Sequence, residues 1–391
     1  MKRFLQSRGV RKFRRNKLAM AALSVISIYM GVTMAILGFD LFTLSETSER
    51  VGPNTTPGFF QLSSPEKRLQ DCEFYIDLVD SAMNRSNPEA AIRESPLAEL
   101  TIASMPMEER EEKLDETWAL YEEIADTENV DERPDLLPEI EKLETMTAAL
   151  YRQPEGLAGK VYQFRRCLGT DRQGRSIMVR AVYSIKVAIL IGLVTSLISV
   201  IFGSILGASA AFFGGWVDHI VIWLYSTFSS IPNLVLLTVL VYMFTGSTFD
   251  GTLIPVYAAF CMTFWIGPCR LIRGEVLKIR ELEYVQAATA LGFNRFYILL
   301  KHILPNTAHL MFINFSLLFI GAIKSEVILS FLGLGVKKGP SWGIMINQAG
   351  QEVINGFFWQ IGAATVFMFV LVLCFNILTD ALQDAFDPKH V

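Results

Sequence analysis

Six runs of mostly apolar residues, each about long enough to cross a bilayer, constrain this 391-residue chain more than any other feature. A spanning helix needs roughly 20 such residues to cross about 30 Å of hydrocarbon, and it must satisfy its own backbone because lipid offers no hydrogen-bond partner. The runs lie at about Leu18 to Leu41, Val187 to Phe213, Ile220 to Phe244, Thr252 to Cys269, Ala308 to Phe331 and Phe357 to Leu378. With 51% hydrophobic and only 19% charged residues, the chain is too apolar for an ordinary soluble domain. The fold class predicted is an all-α polytopic membrane protein with six transmembrane helices. The first run also follows a basic segment, as in a signal peptide. Its length and the lack of a small-residue cleavage site favour an uncleaved anchor.

Charge is segregated along the chain. The first 17 residues hold eight basic residues and no acid, whereas residues 44–166 hold 20 Glu and 7 Asp against 13 Lys plus Arg. Positive residues are retained on the cytoplasmic side, so the N-terminus is expected inside, and six crossings bring the C-terminus inside as well. The segment Arg270 to Thr307, with Arg270, Arg273, Lys278, Arg280, Arg295 and Lys301, also falls inside; Lys337 and Lys338 fall outside, a small violation. Three regions follow: 1–43, a basic N-terminus and first helix; 44–166, an acidic, mainly helical extracytoplasmic insertion; and 167–391, a five-helix core with a cytoplasmic loop at about 275–306.

Within the insertion, Ser64-Pro65-Glu66 and Asn87-Pro88-Glu89 read as helix starts. Further helices are expected at about Met107 to Asp126, where Leu114, Trp118, Tyr121 and Ile124 recur at helical spacing, and at Leu136 to Arg152. Its acidity fits solvated helix faces or a docking surface, and the sequence does not separate the two. Cys72 and Cys167 are the insertion-side cysteines; in an oxidising compartment they would be free to pair, and the sequence leaves that bond open. No cysteine or histidine spacing resembles a metal site.

In the core, Leu168-Gly169-Thr170-Asp171-Arg172-Gln173-Gly174-Arg175 precedes the second span. Asp171 reads either as a helix cap with Arg175 and Arg180 snorkelling, or with Arg175 as a pathway or gating group. The second span is rich in small residues, among them Gly203, Gly207, Ala208 and Ala211, which allow close helix approach. Gly214 to His219 should turn the chain, and Pro232 should bend the third span. Glu326 in the fifth span and the following Ser341-Trp342-Gly343 add Glu326 and Trp342 to the gating candidates, since intramembrane ionisable groups are functional by default. The alternative places Glu326 at the interface or in a pair with Lys324.

Between the fourth and fifth spans lies Tyr284 to Asn306, YVQAATALGFNRFYILLKHILPN. Tyr284, Ala288, Leu291 and Arg295 fall on one helical face with Ala287 and Gly292 beside them, and Gly292-Phe293-Asn294 should end that helix and start a second one leading to Pro305. The small residues fit helix packing within the chain or a docking surface that a partner approaches closely. Ala287-Ala288, Gly292 and Ile303-Leu304-Pro305 resemble the EAA loop of permease subunits of ATP-binding-cassette importers. GTDRQGR, GGWVD, RLIRGE, SEVILSFLGLG, SWG and DAFDP, in that order from residue 168 onward, are similar to the C-type subunit of the dipeptide, oligopeptide and nickel permease family.

That resemblance implies a type I ABC importer permease architecture in a bacterial inner membrane. The loop would dock on an ATPase through Glu283, Tyr284, Gln286, Ala287, Ala288, Gly292, Arg295, Ile303 and Pro305, with Ala287, Ala288 and Gly292 as the contact centre. Gln286 stands where the family has a glutamate, so a charge is lost there. The implied partners are a second homologous permease subunit, two ATPase subunits that use ATP and magnesium, a periplasmic solute-binding protein and membrane lipid, with no nucleic acid. The chain itself would bind no cofactor and catalyse no reaction: Gly159-Lys160 lacks the glycine spacing and the following Ser or Thr of a phosphate-binding loop. A secondary transporter would need repeated broken helices with mid-membrane acids, and an anchored sensor only one or two spans.

Overall fold

The computed structural model describes residues 16–39, 42–52, 65–84, 101–103, 105–127, 130, 133–152, 156–337, 339–354 and 356–386. The basic residues at 2–15, Ser64, Asn87 to Glu89 and Lys338 lie outside the described residues. The chain divides into two compact units: Met1–Leu41, Tyr183–Asn347 and Thr365–Val391 form one, and Phe42–Val182 with Gln348–Ala364 form the other.

Helix α1 (Lys17–Gly38) starts at Asn16, whose side chain accepts the Ala19 N–H at 3.2 Å. Its Tyr29 hydroxyl donates to the carbonyl of Phe367 at 3.0 Å. The insertion contributes α2 (Pro65–Met83), β1 (Thr101–Ile102), α3 (Met107–Ala125), a 3₁₀ turn (Pro134–Leu136), α4 (Leu137–Ala149), β2 (Tyr151–Arg152) and α5 (Gly156–Arg166). Pro65 sits in the first turn of α2, where its missing N–H costs nothing, and Glu66 faces the helix dipole. Ile76, Ile124, Ile140 and Leu143 are fully buried at the centre of this helical core, with Trp118 and Tyr121 packed at its edge. The helix expected to run to Arg152 stops at Ala149, because Tyr151 and Arg152 pair antiparallel with Ile102 and Thr101.

Cys72 and Cys167 both carry free thiols, so the pairing left open by the sequence is not made in this structure. Cys72 is buried within the α2 core, which pushes its thiol up to about 11, whereas Cys167 is partly exposed.

Helix α6 (Ile177–Phe213) is 37 residues long and starts at Ile177 instead of Val187, because the Ser176 hydroxyl caps it by accepting the Val179 N–H at 3.1 Å. Two helices follow, α7 (Gly215–Ser229) and α8 (Asn233–Tyr242), bent by 88° at the break before Asn233. Pro232 causes the break, since proline removes an N–H and pushes the preceding residue out of helical geometry. Next come α9 (Ile254–Phe264) and α10 (Ile266–Ile279), which together make one apolar helix Ile254–Ile279, longer than the span expected to end at Cys269.

The chain continues through α11 (Glu283–Ala290), α12 (Arg295–Ile298), a π-helical turn (Leu299–Ile303) and α13 (Leu304–Asn306) into α14 (Ala308–Phe331). It ends with α15 (Trp342–Ile354) and α16 (Trp359–Phe386). By length and composition the described residues hold five spanning helices, or six if the bent pair is one. Helix α15 was not expected from the sequence; it buries Trp342, Met345, Ala349 and Glu352 along one stripe but is too short and polar to read as a span.

Two glycines seat α6 on α10. A Cβ at Gly203 would lie 2.3 Å from the carbonyl oxygen of Trp265, and one at Gly207 2.3 Å from that of Cys269. Replacing Gly207 with leucine should therefore destabilise the fold by at least about 1–3 kcal/mol, seen as a lower melting temperature in detergent. Separately, a maleimide should modify Cys167 before Cys72 in the folded protein without prior reduction, and the two should label alike only after denaturation.

Candidate functional site

The segment between α10 and α14 folds as a hairpin whose turns are encoded locally. Leu282 is extended (φ −74, ψ 141) and redirects the chain after α10, and Glu283 in the first turn of α11 opposes the helix dipole. Gly292, at φ +79, ends α11 in the left-handed region that glycine tolerates. The Gly292 N–H donates to Thr289 O at 3.0 Å and the Phe293 N–H to Ala288 O at 3.2 Å, the two-bond Schellman cap. Asn294 then starts α12 by accepting the Phe296 N–H at 2.9 Å. Ahead of Pro305 the helix widens into the π turn Leu299–Ile303, which relieves the clash of a proline ring with the preceding turn. Asn306 Nδ2 closes the hairpin by donating to the Tyr284 hydroxyl and to His302 O, both at 2.7 Å.

One face of the hairpin is fastened to the long apolar helices. Val285, Ala288, Ile298, Leu299 and Ile303 pack with Ala208, Ala211, Ile272 and Val276. Arg280 donates to the carbonyl of Ala211 at 2.9 Å, satisfying an end carbonyl of α6, and Arg273 grips Asp218 with two bonds of 2.6 and 2.7 Å.

The other face is exposed. Glu283, Tyr284, Gln286, Ala287, Gly292, Arg295 and Pro305 all lie on it. So do Leu291, Phe296 and Leu300, at 78%, 64% and 62% exposure. This corrects the expectation that Ala288 and Ile303 belong to the outer contact surface: Ala288 is 8% exposed and Ile303 fully buried. On α11 positions 285 and 288 turn inward while 284, 287 and 291 turn outward, so adjacent alanines serve opposite faces. Phe296 and Leu300 escaped the sequence reading because an exposed apolar residue looks like a core one; only their four-residue spacing marks a shared face. Gln286 Nε2 donates to Glu281 O at 3.2 Å, a bond that a carboxylate could not make.

The other four candidates divide between the two units. Asp171 is buried: its Oδ1 accepts the N–H groups of Gln173 and Arg175 at 3.0 and 2.9 Å, and its Oδ2 accepts from Arg175 Nε at 2.8 Å and from Arg180. Both arginines also donate to Gln348 Oε1, at 3.0 and 2.6 Å, and the Arg172 N–H bonds Glu352 at 2.7 Å. Asp171 is thus the centre of a satisfied network and not the cap of α6, a role Ser176 takes. Glu326, also buried, accepts from the Ser330 hydroxyl at 2.6 Å, and Ser330 in turn accepts the Val336 N–H at 3.1 Å. Glu326 does not pair with Lys324, which is exposed. Trp342 is buried at the start of α15, where Gly343 packs on Val327 and Ser330.

A second feature of the same unit is a cavity of about 520 Å³ at the break between α7 and α8. Phe228, Pro232, Asn233, Thr263, Gly321 and Ser325 are among the residues that line it, a mostly apolar wall to which five helices, α7 to α10 and α14, contribute.

Comparison with known proteins matches residues 199–390 to the family described as binding-protein-dependent transport system inner membrane component. The chain is 35% identical over 222 residues to a dipeptide transport system permease protein of Bacillus subtilis, covering 56% of this chain and 68% of the relative. It is 34% identical over 223 residues to an oligopeptide transport system permease protein of Haemophilus influenzae, 56% of this chain and 70% of the relative. A glutathione transport system permease protein of Pectobacterium atrosepticum is 32% identical over 223 residues, 57% and 72% respectively. The family match leaves residues 44–166 outside it.

A Cβ at Gly292 would meet no atom, so only backbone handedness constrains the position. Gly292→Val should destabilise the hairpin by about 1–2 kcal/mol, read as faster amide exchange over residues 284–297. Gly292→Asn, which tolerates positive φ, should leave exchange near native.

Proposed function

The chain belongs to the binding-protein-dependent transport system inner membrane components, and from that premise we propose that it forms one half of an alternating-access pathway for peptides. As a member of this family it is a multi-pass permease component of the inner membrane that catalyses no reaction, and it works with an ATPase and a solute-binding protein. The finer reading is that one ATPase subunit docks on the hairpin of α11 and α12, that a second homologous permease completes the pathway, and that two ATPase subunits drive the pair.

The observation that carries this reading is the exposed face of the hairpin. Ala287 and Gly292 leave room for a close approach, and Leu291, Phe296 and Leu300 offer apolar area beside Glu283 and Arg295, which can orient a partner by charge. The opposite face is bonded and packed to α6 and α10, so a push on the hairpin reaches the spanning helices through rigid contacts. The cavity at the bent pair supports a pathway on this chain, because a broken helix inside a membrane is tolerated where it lines a cavity. Peptides are the favoured substrate class because the relatives' names specify dipeptide and oligopeptide transport. The excess of Lys and Arg at residues 2–17 and 270–301 supports cytoplasmic termini and a cytoplasmic hairpin.

The test is purification of the chain from its native membrane in mild detergent, with recovery of an ATPase and a second permease expected. Ala287→Trp, on the exposed face, should cut peptide uptake at least about tenfold, equivalent to roughly 1.4 kcal/mol, while the melting temperature stays native. Native uptake with a native yield of the complex would overturn the docking assignment.

A further inference from the structure

We propose that the helical insertion carries a binding site for a small organic carboxylate with an apolar body, held between Arg166 and Tyr151. The site is a half-open cavity of about 350 Å³ bordered by α2, α4, β2 and α5, with Cys72, Tyr75, Thr147, Tyr151, Tyr162 and Arg166 among its lining. That volume is at the lower end of small-molecule pockets, and the wall is largely aromatic with a few converging polar groups. The proposal rests neither on the hairpin nor on the peptide pathway.

The charges of the lining are accounted for pair by pair. Arg68 spends its fork on Glu144, with bonds of 2.7 and 2.6 Å, and Asp71 is bonded by Lys67 at 2.5 Å. Among the described residues the Arg166 guanidinium makes one hydrogen bond, from Nη1 to the Tyr162 hydroxyl at 3.0 Å; it lies 5.5 Å from the centre of the Tyr162 ring, and the Asp71 carboxylate acts on it through space without bonding it. Among the described residues no carboxylate forms a salt bridge with it. Arg166 is therefore the cation of this cavity with donors left to give.

A second observation points to the same ligand. Tyr151 lines the cavity and is 8% exposed, and its hydroxyl has no hydrogen-bond partner among the described residues. Burial pushes its phenol well above the usual range, so the group stays protonated and meets a ligand as a donor. The Tyr162 hydroxyl already accepts from Arg166, and the rings of Tyr75 and Tyr151 meet edge to face at 5.5 Å. One uncommitted guanidinium, one unpaired O–H and aromatic walls complement a singly charged carboxylate on an apolar or aromatic body. A phosphate dianion would need a second free cation, and the lining has none to spare.

The test is calorimetric titration of the full chain in detergent with 3-phenylpropionate, 3-phenylpropionamide and inorganic phosphate. Saturable binding of the carboxylate is expected, weakened at least about tenfold for the amide and for phosphate, and lost in Arg166→Gln. Tyr151→Phe should weaken binding about fivefold without lowering the melting temperature, because it removes a hydroxyl that has no partner in the empty cavity. That pair of readouts separates a ligand contact from a structural role, and it decides the matter if Arg166→Gln fails to fold. The proposal is overturned if the carboxylate does not saturate by ~10 mM, if amide or phosphate binds as well, or if Tyr151→Phe binds like the native chain.

Discussion

The contact of Gly203 and Gly207 with the backbone of α10 and of Trp265 just before it is the interaction on which the rest of the permease core depends. Lipid gives helices no hydrophobic reason to associate, so they are held by close van der Waals packing and by polar bonds. Where α6 lies on the carbonyls of Trp265 and Cys269, no side chain intervenes. One helical turn further on, the same pair of helices offers Ala208, Ala211, Ile272 and Val276 to the underside of the hairpin, and Arg280 ties the loop to the last turn of α6. The exposed face of the loop is therefore positioned by two glycines that never touch it.

Much of this was legible in the sequence. Length and apolarity placed the spans, Pro232 announced the break in the third, and Gly292-Phe293-Asn294 announced the hairpin turn. What escaped depends on tertiary context. Apolarity does not say whether Ala287 or Ala288 faces the chain's own core, because that is set by where α6 lies. Helix α15 hides because a short stripe of buried residues carries polar neighbours. The start of α6 was placed at Val187 because Arg180 and Lys186 interrupt the apolar run, whereas the helix begins at Ile177 behind the Ser176 cap.

The buried acids show why residue type alone is a weak guide to role. Asp171 and Glu352 balance Arg175 and Arg180, which also share Gln348, so removing any one of the four would leave charge uncompensated in the interior, the costly way to alter such a cluster. Glu326 instead meets hydroxyls, and Ser330 passes the connection on to the backbone of the turn after α14. Each acid fastens a turn at the end of a long helix. In that sense both are joints in the scaffold.

The π turn at Leu299–Ile303 has a geometric effect beyond accommodating Pro305. It sets one additional residue into the helical path, and each residue of an α-helix advances the azimuth by about 100°. The aromatic side chains before it and the buried stripe of α14 after it are thereby held at a fixed angular offset. The turn acts as a phase shifter: lose that residue and the outward face of the loop would rotate relative to the spanning helix, though every local helix could still form.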